Sequence, residues 1–257
     1  MTILFESPIF GPVKSRRLGV SLGVNLLPSN GKVCTFDCIY CECGLKKDRQ
    51  SEEKLPSREL VKQRLEKKLI EMREEKSTLD VITFAGNGEP TLHPHFSGII
   101  DDTINLRNSY YPQAKISVLS NASLIHKEEV FNALLLVDNN ILKLDTVDLD
   151  YIAKVDQPNS NFSLERTIAY LKKFGSNCII QTMFLDGECR GESVLNTTDK
   201  YVLPWLDVVE RIKPREVMIY TIERETPYKE LKKASSEALD AIAQQLRSRG
   251  LKVTVSY

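Results

Sequence analysis

The chain has 257 residues, 42% of them hydrophobic and 27% charged, which suits a globular protein with enough apolar material for a sizeable core. Thirty-five basic residues balance thirty-five acidic ones, so the composition lacks the cationic excess typical of polyanion binders. No apolar run reaches the roughly 18 residues of a membrane span, and Met1-Thr2-Ile3-Leu4-Phe5-Glu6-Ser7-Pro8 has neither the basic start nor the apolar run of a secretory signal; a cytoplasmic protein with no membrane partner is expected.

In chain order, short segments rich in Ile, Val, Leu and Thr predict strands at Val20–Leu27, Val81–Ala85, Ile116–Ser120, Ile141–Asp145, Ile179–Leu185, Val217–Ile222 and Leu251–Val255. Helical segments separate them. Arg58–Lys76 is expected to place Leu60, Leu65, Leu69 and Met72 on one face. Leu164–Phe174 has Ser163 as its N-cap and Gly175 as its stop, and Glu237–Arg249 ends at Gly250. Alternating strands and helices predict an α/β fold with a parallel sheet and right-handed crossovers. Six such units and a last strand are too few for a closed eight-unit barrel and suit a partial (β/α)6 TIM-like barrel. No linker marks a second domain, so 1–257 is read as one domain, with the segment 1–18 packing on the core.

In Ile141-Leu142-Lys143-Leu144-Asp145 the two leucines share one face and Lys143 and Asp145 the other. The leucines should meet the helices, leaving the charged pair to point into the barrel, either at a cavity or as a mutual ion pair that only holds structure. Gln181 has the same flavour.

Six cysteines in a reducing compartment suggest metal or catalysis before disulfides. Cys34, Cys38, Cys41 and Cys43 are clustered, whereas Cys178 reads as a buried apolar residue and Cys189 has no evident role. The spacing Cys34-x3-Cys38-x2-Cys41 lacks the second pair of a zinc site and the fourth thiolate of an electron-carrying cubane. Three thiolates would leave one iron open to a ligand. Cys43 is either an alternative ligand or an exposed thiol.

With Tyr40 before the third cysteine, directly after the first strand of a βα repeat, this motif resembles the hallmark of the radical-SAM superfamily. The resemblance implies that Cys34, Cys38 and Cys41 hold a [4Fe–4S] cluster and that S-adenosylmethionine chelates the free iron. It places Tyr40 near the adenine. Gly86-Asn87-Gly88-Glu89-Pro90 looks like the superfamily's glycine–glutamate motif, whose backbone and carboxylate hold the methionine amino group; a plain strand-to-helix turn is the alternative. Ser120 and Asn121 stand where the family contacts ribose or carboxylate, and Tyr220 where its backbone meets the adenine. His93 and His95 read as surface or helix-start residues. These candidates fall at the carboxyl ends of strands, where parallel barrels carry their active sites.

The segments Gly11–Gly19, Gly23–Pro28, Gly86–Pro94, Leu119–Ala122, Leu142–Asp145, Gln181–Phe184 and Pro214–Thr221 are similar to a group of short radical-SAM proteins related to the tRNA wyosine-synthesis enzyme, 4-demethylwyosine synthase. That enzyme has further N-terminal cysteines, and none precedes Cys34 here. Lys14, Arg16 and Arg17 form a small basic cluster expected near the barrel mouth, either a phosphate or carboxylate contact or a solvated loop.

The activity implied by the resemblance is reductive cleavage of S-adenosylmethionine to a 5′-deoxyadenosyl radical, which abstracts hydrogen from a substrate. Lys143 and Asp145 are the expected catalytic or substrate contacts, with a Schiff base on Lys143 as one form of the idea. A reduced flavodoxin or ferredoxin is the expected electron donor, and tRNA a partner that the charge balance does not support. The alternatives are a glycyl-radical activase acting on a partner protein, and a non-catalytic iron–sulfur or zinc protein.

Overall fold

The computed structural model describes residues 2–15, 18–159 and 161–257. Strand β1 (Ile9–Ser15) lies antiparallel on β2 (Gly19–Val24). Then follow α1 (Arg58–Glu74), β3 (Val81–Phe84), α2 (Phe96–Tyr110), β4 (Lys115–Ser120), α3 (Glu128–Leu135) and β5 (Asn139–Lys143). The short helix α4 (Leu149–Tyr151) runs into a π turn over Ile152–Asp156. Helix α5 (Leu164–Phe174), β6 (Ile179–Met183), the hairpin β7 (Leu185–Cys189) and β8 (Glu192–Ser193), α6 (Asp199–Ile212), β9 (Glu216–Tyr220), β10 (Leu231–Lys233), α7 (Ser236–Ser248) and β11 (Val253–Ser256) complete the described elements.

The main sheet has the order β1-β2-β3-β4-β5-β6-β9-β11, parallel from β2 onward. This is the six βα units and final strand expected of a partial barrel, curled but not closed. Edge strand β1 and the small sheet β10-β7-β8 were not foreseen. In the small sheet β7 follows β6 almost directly and β10 follows β9 after an intervening segment, so both lie beyond the carboxyl ends of barrel strands.

Period-two alternation sorts the strands. Leu22, Val24, Ile82, Phe84, Ile116, Val118, Leu142, Leu144, Ile180, Val217 and Ile219 join the large core beneath the helices. Their alternate neighbours face the barrel. Ile141, Ile179 and Met218 form a separate small apolar floor, and the next inward residues on β5, β6 and β9 are Lys143, Gln181 and Tyr220, paired in register as Lys143 with Gln181 and Gln181 with Met218. The leucine face and polar face of β5 are as read from the sequence.

The helices begin and end on the expected chemistry. Ser163 accepts from the Arg166 amide, and Gly175 at the end of α5 has φ +51°. One assignment is corrected. Helix α1 buries Val61, Leu65, Leu69 and Met72, whereas Leu60 is 38% exposed. Leu60 lies one residue, about 100°, away from the row spaced by three and four that faces the sheet. The expected place of Lys14 is corrected as well. Lys14 pairs with Val20 and Ser15 with Gly19, so Lys14 sits at the amino end of β2, opposite the cysteine loop that leaves its carboxyl end; Arg16 and Arg17 lie outside the described residues. Among the described residues no helix is long and apolar enough to cross a membrane.

The α1 assignment is checked by truncation. Leu65→Ala should lower unfolding stability by about 2–5 kcal/mol in urea denaturation, and Leu60→Ala by less than about 1 kcal/mol.

Candidate functional site

The cysteine loop is fixed from both sides by main-chain hydrogen bonds. On one side Val33 N donates to Asn87 O at 2.9 Å and Glu89 N to Val33 O at 3.0 Å, a parallel bridge between Val33 and Gly88. On the other side Ile39 N donates to Val155 O at 2.9 Å and Asp37 N to Asp156 O at 3.1 Å, so the π turn accepts from the loop's amides. Single π turns of this kind recur at functional sites.

The glycines of the Gly86–Glu89 turn are required by contact. A Cβ on Gly88 would stand 1.9 Å from the Val33 carbonyl oxygen, and Gly88 has φ +141°. Asn87 is fully buried. Its Oδ1 accepts from Phe5 N at 2.8 Å, and its Nδ2 donates to Phe5 O at 2.9 Å and Pro28 O at 2.7 Å. The side chain is thus spent on holding Phe5 and the Pro28 carbonyl.

Glu89 is 1% exposed and well supplied with donors. Its Oε1 accepts from Thr91 N at 3.1 Å, Thr91 Oγ1 at 2.5 Å and Ser120 Oγ at 2.8 Å, and its Oε2 from Asn121 N at 2.7 Å. Burial nevertheless pushes its pKa above the usual carboxylate range, with these hydrogen bonds opposing. Asn121 also donates through Nδ2 to Thr35 Oγ1 at 2.8 Å and to Cys34 Sγ at 3.5 Å. One residue therefore touches both the glutamate and the first thiol.

Among the described residues no three Cys, His, Asp or Glu side chains converge as ligands of a single ion. A cubane asks for something else, since each of three thiolates binds its own iron. The thiols of Cys34, Cys38 and Cys41 are near enough to influence one another electrostatically. Burial pushes Cys34 up to about 12 and Cys38 well above the free-thiol value. Cys41 is held below it by a hydrogen bond from Cys43, with the Lys32 ammonium adding to the effect against burial. Cys43 is buried, with Sγ 3.3 Å from Gly86 O, and is not the exposed thiol of one sequence reading. Cys178 is buried as expected. Cys189 is buried at the end of β7.

Beyond the loop, Tyr40, Lys143, Asp145 and Asp156 form one buried polar network. The Tyr40 hydroxyl donates to Asp145 Oδ2, and the Lys143 ammonium contacts both the Tyr40 oxygen and Asp145 Oδ2. Lys143 Nζ also stands 2.9 Å from Asp156 Oδ1. That approach is an ion pair without hydrogen-bond alignment, and Asp156 Oδ1 has no hydrogen bond among the described residues. Met183 N donates to Asp145 Oδ1 at 2.9 Å. Burial would strip the proton from Lys143, but Asp145 and Asp156 outweigh it and hold the pKa above the ordinary lysine value. Burial pushes Asp156 up to about 7, against the pull of Lys143. Sequence reasoning missed Asp156; its carboxylate in a predicted loop carried no periodic signal. A small cavity reaches this network, lined by Phe36, Asn121, Lys143, Asp145, Asp156 and Thr167 among others.

Tyr220 is half-buried in the second apolar cluster beside Tyr40, and its carbonyl accepts from Phe184 N at 2.8 Å. Of the two roles expected of His93, the helix-start one fits, its carbonyl accepting from Phe96 N at 3.0 Å, and the surface one does not. His93 is 3% exposed, with Nε2 2.8 Å from Pro56 O, and burial lowers its pKa. His95 opens α2.

Comparison with known proteins agrees with this architecture. The family model of the radical SAM superfamily matches residues 31–197. A UPF0026 protein of Helicobacter pylori strain J99 is 31% identical over 234 residues, 90% of this chain and 71% of that protein. A radical SAM methyltransferase from Sphaerobacter thermophilus is similar in structure with TM-score 0.67 and 16% identity, over 92% of this chain and 66% of that one. TYW1, solved with a lysine-pyruvate adduct bound, gives TM-score 0.60 and 16% identity over 89% of this chain and 73% of that one. The likeness to TYW1 and to the methyltransferase is one of fold, and this chain spans about two thirds of the methyltransferase's length. The chain belongs to the radical SAM superfamily, whose members use a [4Fe–4S] cluster and S-adenosylmethionine.

Two outcomes follow from this geometry. Gly88→Ala forces a Cβ into the Val33 carbonyl, and should cost at least about 2–3 kcal/mol in thermal unfolding and lower the iron retained after anaerobic reconstitution. The Asp156 pKa is raised on folding, so the stability it contributes is complete below the unfolded value near pH 4 and lost as pH rises through about 7. Urea unfolding at about pH 5 and about pH 8 should show Asp156→Asn gaining on the wild type by on the order of 2 kcal/mol at the higher pH.

Proposed function

We propose that Cys34, Cys38 and Cys41 hold the cluster, that Gly86, Gly88, Glu89, Ser120 and Asn121 form the wall that holds S-adenosylmethionine, and that Lys143, Asp145, Tyr40 and Asp156 contact the substrate. The observation that carries this reading is Asn121, bonded to Cys34 through its side chain and to Glu89 through its backbone. Three soft thiolates on one loop suit iron–sulfur ligation. Bound together, the two cofactors supply one-electron cleavage of S-adenosylmethionine and hydrogen abstraction from the substrate.

The chain's own residues supply position and charge. Glu89 Oε2, which accepts from Asn121 N, would be the partner of an ammonium group such as that of methionine. Glycine at 86 and 88 lets backbone approach closely. Tyr220 lines the same mouth at the end of β9. Lys143 is held as a cation by two carboxylates, which favours a charged contact to substrate. A carbonyl adduct, of the kind named for TYW1, needs a neutral amine and is disfavoured on Lys143 for that reason. Asp156 Oδ1 is an acceptor with capacity left for a substrate donor. A reduced flavodoxin or ferredoxin supplies the electron. The zero net charge offers no footprint for the tRNA substrate that the likeness to the wyosine enzyme suggests.

The test is anaerobic reconstitution followed by EPR of the reduced protein with and without S-adenosylmethionine, and an assay for 5′-deoxyadenosine. The expected result is a [4Fe–4S] signal altered by S-adenosylmethionine, lost in the Cys34/Cys38/Cys41→Ala variant; an indifferent cluster overturns the reading. Lys143→Met should keep substrate-free 5′-deoxyadenosine formation within a few-fold of wild type. Its loss would move Lys143 from the substrate to the cofactor.

A further inference from the structure

Lys32 is a buried cation that the proposed reaction does not use. It stands two residues before Cys34, and its side chain is 1% exposed. Removing an ammonium from water this completely costs several kcal/mol unless its donors are met. Two of them are met by oxygen, Nζ donating to Asp37 Oδ1 at 3.0 Å and to Gly44 O at 2.8 Å, and the ammonium lies near enough to Cys41 to favour its thiolate. Asp37 is itself fixed, since its Oδ1 also accepts from Lys46 N at 2.9 Å. The ammonium is therefore held inside the loop that carries all three thiols, at the turn that Gly44 N closes on Cys41 O at 2.9 Å.

An apolar side chain could fill this position without the cost of burying a charge. What the cation adds is positive potential at a thiolate. A cubane on three thiolates is an anion already, and accepting an electron adds negative charge. A desolvated ammonium inside the thiolate loop therefore stabilises the reduced form more than the oxidised form, and hydrogen bonds and charge around the sulfurs are among the levers that set cluster potentials.

We infer that Lys32, pinned by Asp37 and Gly44 inside the cysteine loop, raises the reduction potential of the cluster and so brings it within reach of its electron donor. The inference rests on the reading that Cys34, Cys38 and Cys41 hold that cluster. The step concerned moves one electron from a reduced flavodoxin or ferredoxin, which is oxidised, to the cluster, which is reduced; no bond is made or broken. Lys32 is a positioning and tuning residue and touches no substrate.

The test is an EPR-monitored redox titration, with iron counted, of wild type, Lys32→Met, Asp37→Asn and the double variant, each reconstituted without oxygen. Lys32→Met leaves the Asp37 carboxylate uncompensated beside the cluster and should titrate at the most negative potential. Asp37→Asn frees the ammonium of its partner and should titrate above wild type. The double variant should fall between Lys32→Met and wild type. A Lys32 that only braced the loop would lower iron content without moving the potential of the clusters that remain, and that result overturns the inference. Should Lys32→Met fail to load, Asp37→Asn decides, and a potential at or below wild type refutes the proposal. A wild type that binds no cluster fails the underlying assignment instead.

Discussion

The clasp between Val33 and the Gly86–Glu89 turn is the constraint on which the site depends. Val33 N and O are both used, with Asn87 O and Glu89 N as partners, and the approach leaves no room for a Cβ at Gly88. Because Cys34 is the next residue after Val33, this contact sets the first thiol beside Glu89 and within reach of Asn121. The same turn holds the chain's beginning through Asn87. A loop that would otherwise be free to wander becomes an extension of the sheet, and its amides on the far side are taken up by the π turn at Ile152–Asp156.

The second organising feature is the division of each inner strand into two faces. The helix-facing residues build an ordinary close-packed core. The inward residues change character along the barrel, from Ile141, Ile179 and Met218 at the floor to Lys143, Gln181 and Tyr220 above. A polar layer of that kind is costly unless its members satisfy one another, and Tyr40, Asp145 and Asp156 are what satisfies Lys143. The network joins the cysteine loop, β5, the segment after it and the π turn, so loop position and barrel interior are coupled through one set of side chains.

Lys32 and Asp156 share a property that the linear chain does not display. Each is an ordinary charged residue by composition, and each is removed from water by contacts made far along the chain or across a loop. Their chemistry arises from what surrounds them. The same holds in reverse for Asn87, whose place in a glycine-rich turn suggests ligand contact, whereas its surroundings occupy the whole side chain with backbone.

The sequence by itself determined the parallel βα order, the inward face of β5, the cysteine spacing and the strand-end positions of Glu89, Ser120 and Asn121. These features are local or periodic, and period-two alternation and thiol spacing can be read without knowing what packs against them. The tertiary structure decided the rest: that Lys14 stands at the far end from the thiols, that His93 is buried, that β1 and the small sheet of β7, β8 and β10 flank the barrel, and that Asp156 and Tyr40 complete the network around Lys143. Those outcomes depend on which distant segments meet, through hydrogen bonds and desolvation between residues scores of positions apart, and no local pattern of residues encodes that meeting.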